Sequence, residues 1–257
     1  MFAKFPYENL LAWYEKNGRH DLPWRRGLEN FDEKSRGYRV WLSEILLQQT
    51  QAPRVAPFFE RMVGRFPAVE SLAETDFETF FPYYDGLGYY SRARNLLAAA
   101  KKVSGEFAGV FPKETELLRT LPGVGPYTAE AVRAFAYGIP TLPFDTNLEK
   151  VFSRYYFGSR FNKLTSEEKT EITKEFLSSR FDARTVAGAL MDFANVVSVN
   201  SVAKVAWEGY PLPGCRFFET RGALEDRPKK RPERFPMKDS ALVAILADHS
   251  GKALFSA

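Results

Sequence analysis

Two carboxylic acids carry the chemistry this chain can do. Glu44 lies in Tyr38–Gln51, YRVWLSEILLQQTQ, a stretch without glycine or proline that reads as a helix. On a helix it shares a face with Val40, Trp41, Leu47 and Gln48, so the carboxyl is expected on the apolar side. A desolvated carboxyl holds its proton to higher pH, as a general acid must. A hydrogen-bonded core glutamate would show the same pattern, and this helix alone leaves both readings open. Asp145 precedes a second helix, with Leu148, Val151, Phe152 and Tyr155 on one face. Thr146 and Glu149 match a capping box, which places Asp145 just outside the helix N-terminus, where the helix dipole favours an ionised carboxylate. Standing alone, it would be a capping residue. One protonated and one ionised carboxyl suit cleavage of a glycosidic bond: the acid protonates the leaving group and the carboxylate stabilises the cationic sugar.

Between them, residues 114–138 read as helix, tight turn, helix. Gly123 and Gly125 flank Val124, which lets the backbone turn sharply and approach a ligand. The free N–H groups opening the second helix suit a phosphate. An ordinary helix–helix turn has the same outline, so the short Gly-Val-Gly carries weight only with its neighbours.

The rest of the chain must position these groups. With 257 residues and 45% hydrophobic content it can fill one large or two modest cores. Helices are predicted at 7–17, with Leu10, Leu11, Trp13 and Tyr14 as the buried stripe, then at 54–64, 69–74, after Asp76 as far as Pro82, and from the Gly86–Arg94 motif to Lys102. Further helices follow Asp145 and span 165–179 and 182–197, while 26–37 reads as a loop. No alternating strand precedes residue 240, so the class is all-α. Residues 223–238 are proline-rich and charged, a linker, and 239–257 read as two strands around a turn. The N-terminus is amphipathic and carries acids, unlike a signal peptide, and no apolar run is long enough to span a membrane. A single cysteine, Cys215, excludes an intrachain disulfide and any site needing several thiolates; two histidines argue against a histidine-rich metal site. The net charge of +4 permits a nucleic acid partner.

These pieces resemble the helix-hairpin-helix DNA glycosylases, and within them the adenine DNA glycosylases of the MutY family. The motifs are LPWR (22–25), WLSEILLQQTQ (41–51), GLGYYSRARNL (86–96), LPGVGPYTA (121–129) and Asp145-Thr146-Asn147. The resemblance implies two helical lobes, one from 1–24 with 138–222, the other a six-helix lobe from 25–137. It also implies the start of a C-terminal Nudix-like domain at 239–257 that is otherwise missing. The implied activity is excision of adenine opposite 8-oxoguanine or guanine in duplex DNA, with the base flipped into a pocket. Glu44 would protonate adenine N7, Asp145 would stabilise the oxocarbenium ion and Asn147 would support it. Gln49 and Tyr89 would insert into the base stack; Trp24 and Arg25 would wall the pocket; Leu47, Gly123, Val124 and Gly125 would contact DNA. Tyr127 stands where bifunctional relatives carry a Schiff-base lysine, so no strand cleavage is expected.

The same resemblance exposes departures. Most members hold a [4Fe–4S] cluster on four cysteines, but the matching region 198–215 offers Ser198, Val205 and Glu208, with only Cys215 near a ligand position. No cluster is expected, and Val199, Val202, Val205, Trp207 and Tyr210 would hold that loop by packing. No other cofactor is implied beyond a monovalent cation at the hairpin. Gly188 stands where relatives contact adenine with Gln or Glu. The expected partner is duplex DNA bound by a monomer inside the cell, at the bacterial nucleoid or in a nucleus. Rival readings are a mismatch glycosylase of other base specificity, a nucleoside glycosidase, and a DNA-binding module without activity.

Overall fold

The computed structural model describes residues 3–225, with the backbone of residues 246–247 and 253–254. The chain divides into Met1–Glu225 and Asp226–Ala257. In the second unit, strands β1 (Leu246–Ala247) and β2 (Ala253–Leu254) pair antiparallel, Leu246 opposite Leu254. The linker beyond residue 225 and the rest of the tail lie outside the described residues.

The first unit is helical: α1 (Tyr7–Asn17), α2 (Glu33–Leu47), α3 (Ala52–Arg65), α4 (Val69–Ala73), α5 (Phe77–Tyr84), α6 (Tyr90–Glu106), α7 (Thr115–Leu118), α8 (Pro126–Tyr137), α9 (Thr146–Phe157), α10 (Ser166–Ser179), α11 (Ala183–Val196) and α12 (Arg216–Glu219). It holds two apolar cores. One surrounds α2, which packs on α3, α6 and α8 and contributes Tyr38, Trp41, Leu42, Ile45 and Leu46. The other gathers α1, α9, α11 and α12 around Phe152, Phe193 and Phe217. Burying each such side chain stabilises the fold by roughly 1.5–3 kcal/mol. Helix α8 joins the two: Val132 and Ala136 face the first core and Ala134 the second. Its small residues let it pack closely on both α2 and α11.

Several boundaries differ from the sequence reading. Helix α2 begins at Glu33 because the Asp32 carboxylate accepts the Ser35 N–H at 2.8 Å, so much of the expected loop 26–37 is helix. It ends at Leu47, since Gln49 takes a left-handed turn with φ 56°. Helix α3 starts earlier, with Pro53 in its first turn, where no N–H is needed. Pro82 does not stop α5, which runs two residues further to Tyr84. On α1, Tyr7 joins Leu10 and Tyr14 in the core, while Leu11 and Trp13 are only half-buried.

Candidate active site

Glu44 and Asp145 line one cavity of about 1640 Å³. Helix α2 carries Glu44 on the edge of the first core, where it is 8% exposed. Helix α8 brings its first turn alongside, and the Tyr127 hydroxyl donates to Glu44 Oε2 at 2.9 Å. Burial pushes the Glu44 carboxyl up to about 7. The Tyr127 hydrogen bond opposes that rise, the Asp145 charge adds to it and the Arg25 charge opposes it. The tyrosine's own hydroxyl is driven well above its ordinary range, first by burial and then by the Glu44 charge, so it remains a donor.

Asp145 is itself the N-cap of α9, one residue closer to the helix than the capping-box reading placed it. Its extended backbone (φ −119°) aims the carboxylate back over the first turn, and Thr146 is the first helical residue. Oδ1 accepts the Asn147 and Leu148 N–H groups at 2.8 and 2.9 Å, and Oδ2 accepts the Asn147 side-chain amide at 2.8 Å. Glu149, expected to complete the box, pairs with Lys169 instead. Burial raises the Asp145 carboxyl above the ordinary aspartate range, and these donors and Lys150 oppose the rise. Three N–H donors need lone pairs, not a proton. Of the two carboxyls, Asp145 is therefore the better seat for negative charge and Glu44 for the proton.

The cavity also gathers Trp24, Arg25, Leu47, Gln49, Tyr127 and Asn147. Trp24 packs edge-on against Phe59. Arg25 forms a fork with fully buried Asp192, Nη1 to Oδ2 at 2.7 Å and Nη2 to Oδ1 at 3.2 Å, and Arg19 closes on the same carboxylate at 2.6 Å. The hairpin lies outside the cavity lining. Gly123 holds φ +80°, a conformation that needs glycine, Val124 is buried, and Gly125 caps α8 with open space where a side chain would stand. Gln48 ties the hairpin to the end of α2 by donating to the Gly123 carbonyl at 3.1 Å.

Tyr89 is not in the cavity. It stands 54% exposed on a left-handed residue (φ 53°) just before α6. What links it to Gln49 is Arg92, which the sequence reading passed over. This buried guanidinium donates to the carbonyls of Leu46 (3.0 Å), Ile45 (3.4 Å) and Gln48 at the end of α2. It also donates to the Leu87 carbonyl at 3.5 Å and, through Nε, to the Tyr84 hydroxyl at 2.6 Å. Tyr84 in turn donates to the Gly88 carbonyl at 2.9 Å. The two left-handed turns are thus fastened to one side chain.

Residues 198–225 are held by more than the apolar contacts expected of them. Val205 is buried, Trp207 stacks on Phe217 and Tyr210 on Phe218. At the centre is fully buried Arg154. It donates to the Ser198 carbonyl and hydroxyl, both at 2.9 Å, and to the Val199 carbonyl at 2.8 Å. It also grips Glu225 through Nη2 at 2.6 Å and Nε at 3.1 Å, and lies 4.1 Å over the Phe217 ring. Cys215 Sγ is buried 3.8 Å from the Tyr210 hydroxyl and the Arg154 carbonyl. Ser198, Val205, Glu208 and one thiol do not supply the donor set of a four-thiolate cluster. Among the described residues no group of three or more His, Cys, Asp or Glu is placed to hold a metal ion. None of the described helices is long and apolar enough to cross a membrane.

The family described as HhH-GPD superfamily base excision DNA repair protein matches residues 42–179. An adenine DNA glycosylase of Mycolicibacterium smegmatis is 33% identical over 240 residues, 93% of this chain and 78% of that one. Those of Buchnera aphidicola subsp. Baizongia pistaciae and Homo sapiens are 33% and 42% identical over 198 and 148 residues, covering 77% and 57% of this chain. The chain matches 54% and 27% of the length of those two relatives. Among solved structures, a thermostable thymine-DNA glycosylase superposes with a TM-score of 0.69 at 24% identity, covering 83% of this chain and 95% of its own. An endonuclease III in a non-covalent DNA complex does so with 0.64 at 17%, covering 84% and 94%. These two share the fold. The chain belongs to the HhH-GPD superfamily of base excision DNA repair proteins, in its MutY branch.

Proposed function

We propose that this chain excises adenine mispaired with 8-oxoguanine or guanine in duplex DNA, hydrolysing the N-glycosidic bond and leaving the strand uncut. The observation that carries the reading is the pairing of Glu44, raised to about 7, with Asp145 in one cavity. Glu44 gives its proton to N7 of the extruded base, so the base leaves neutral. Asp145, braced by three N–H groups, faces the positive charge that grows on the sugar. Gln49 and Tyr89 fill the space the base vacates, while the Gly123–Gly125 hairpin receives phosphate. Similarity to adenine DNA glycosylases supports this base over the rival specificities.

Strand cleavage needs an amine to form a Schiff base. Tyr127 offers none. The buried lysine nearest Asp145 in sequence, Lys150, has an amine lowered to about 8 by burial, but that amine donates to the Ala194 carbonyl at 2.7 Å and lies outside the cavity lining. The region 198–225 works without a cluster.

The test is single-turnover incubation with duplexes carrying adenine opposite 8-oxoguanine, guanine or thymine, each developed with and without alkali. Product only after alkali, fastest opposite 8-oxoguanine, is expected. Glu44→Gln and Asp145→Asn are each expected to lose a hundredfold or more, on the order of a general acid's contribution. Rates within a few-fold of wild type for both would overturn the two-carboxylate mechanism. Strand breaks without alkali would overturn the Tyr127 argument, and no release from any duplex would favour the binding module.

A further inference from the structure

Gly188 of α11 lines the cavity. A Cβ built there would lie 2.8 Å from the Tyr14 hydroxyl oxygen and 4.0 Å from Arg25 Cζ. The first distance is closer than real contacts allow, so glycine at 188 is what lets Tyr14 reach this wall. Tyr14 comes from α1, is 8% exposed, and packs its ring on His20 with centroids 4.6 Å apart. Arg25 Nη1 points at its hydroxyl oxygen from 3.4 Å. Arginine can only donate, so the tyrosine oxygen is the acceptor there. The hydroxyl's own hydrogen has no protein acceptor in any contact formed among the described residues. The hydroxyl therefore has a hydrogen to offer to a polar group entering the cavity it lines.

We propose that the Tyr14 hydroxyl reads the extruded base, donating to a ring nitrogen on the six-membered ring of the purine while Glu44 serves the five-membered ring. The inference rests on the adenine reading above. Tyr14 and Arg25 together present donors, and Asp192 locks the guanidinium so that it does not swing away. Such a corner accepts a ring nitrogen and rejects an amine or a ring N–H. At N1 it therefore favours adenine over guanine, whose N1 is protonated, a choice made by unpaired donors and not by size; N3 accepts in both purines, so contact there would hold the base without making that choice. Tyr14 on α1 thus sets specificity from the space that Gly188 on α11 leaves open.

The experiment is a cycle between protein and substrate. Wild type, Tyr14→Phe and Gly188→Ala are assayed in single turnover on adenine, 1-deazaadenine and 3-deazaadenine opposite 8-oxoguanine. Phenylalanine keeps the ring on His20 and removes only the hydroxyl; alanine displaces the hydroxyl without touching it chemically. Tyr14→Phe is expected to slow adenine release about tenfold, the scale of one hydrogen bond made in a dry site. On the analogue lacking the contacted nitrogen it is expected to cause no further loss. Gly188→Ala should give the same pattern, which keeps the test sound if Tyr14→Phe folds poorly. Unchanged adenine-to-deazaadenine ratios in both variants, with wild type active, would overturn this inference alone. A wild type that releases no adenine would overturn the functional reading and this inference with it.

Discussion

Two buried arginines hold two loops, and they do it differently. Arg154 sits under residues 198–225 with a carboxylate, Glu225, gripped through both faces of its fork, and Arg160 shares that carboxylate at 3.1 Å. Arg92 sits under the turns of Gln49 and Tyr89 with carbonyls, the Tyr84 and Thr50 hydroxyls and two aromatic rings, but no carboxylate within ion-pair distance among the described residues. The first arrangement is closed on a buried counterion. The second leaves its positive charge uncompensated beside the turns proposed to meet DNA. The lesson is that a guanidinium can serve as internal scaffolding in either place. The one without a counterion lies beside the turns proposed to meet DNA, where its charge adds to the field a phosphate backbone would meet.

The largest expected effect tests the closed side. Arg154→Met leaves Glu225 with only Arg160 and strips three hydrogen bonds from Ser198 and Val199. Breaking a buried pair from one side costs about 3–5 kcal/mol, and a loss near the lower end, about 3 kcal/mol, is expected because Arg160 remains. Thermal unfolding measures it. Adenine release per folded molecule should stay within about twofold; a parallel fall in activity would show that the loop reaches the cleft. On the open side the next effect is one of pH. Glu44 must hold its proton to act, so release should fall about tenfold per unit above a midpoint near 7. Because its folded pKa lies above the unfolded value of 4.5, stability from this group is full below 4.5 and is lost as pH rises through 7. Arg154→Met should leave the midpoint where it is. A shift of a full unit would mean that the two sides are electrically coupled.

Much of this was legible in the sequence, and what was missed has a common physical form. The helical class, the hairpin and the face on which Glu44 sits follow from apolar spacing and glycine placement. The same spacing argument puts Arg92 on the stripe of Leu96, Ala99, Ala100 and Val103, all buried on α6, and Asp192 beside Phe193 on α11. A charged residue on an apolar stripe was read once, at Glu44, and it held as much information at Arg92, Asp192 and Arg154. The start of α2 was missed because Gly37 looked like a loop boundary; it is buried in the helix, where an added Cβ would meet the Tyr137 hydroxyl at 2.9 Å. The approach of Tyr14 to Gly188 joins residues 174 positions apart, and no local pattern encodes that contact.

Arg92→Gln is the next test. It keeps a donor but loses the fork that spans both turns. Gln49 and Tyr89 then hold their left-handed conformations, each costing of order 1 kcal/mol, without the contacts that fix them. Release of paired adenine is expected to fall about tenfold, and most of that loss should vanish when the adenine lies opposite an abasic site, already poorly stacked. 2-Aminopurine fluorescence at the target follows the extrusion directly. An equal loss on both substrates would make Arg92 a scaffold of the cavity and not of the turns, and the contrast with Arg154 would collapse.

The smallest effect concerns Cys215. If Arg154 closes the loop, the thiol only fills space: burial pushes its pKa up, and it is 1% exposed against Tyr210 and the Arg154 carbonyl. Cys215→Ala should cost about 1 kcal/mol, the ordinary cost of removing one small buried group. An iron chelator should leave the unfolding temperature of wild type and variant unchanged. A loss several times larger, or a drop in melting temperature with chelator, would mean that a metal held by Cys215 shares the load with Arg154. The closed, self-contained character assigned to that side of the molecule would then be wrong.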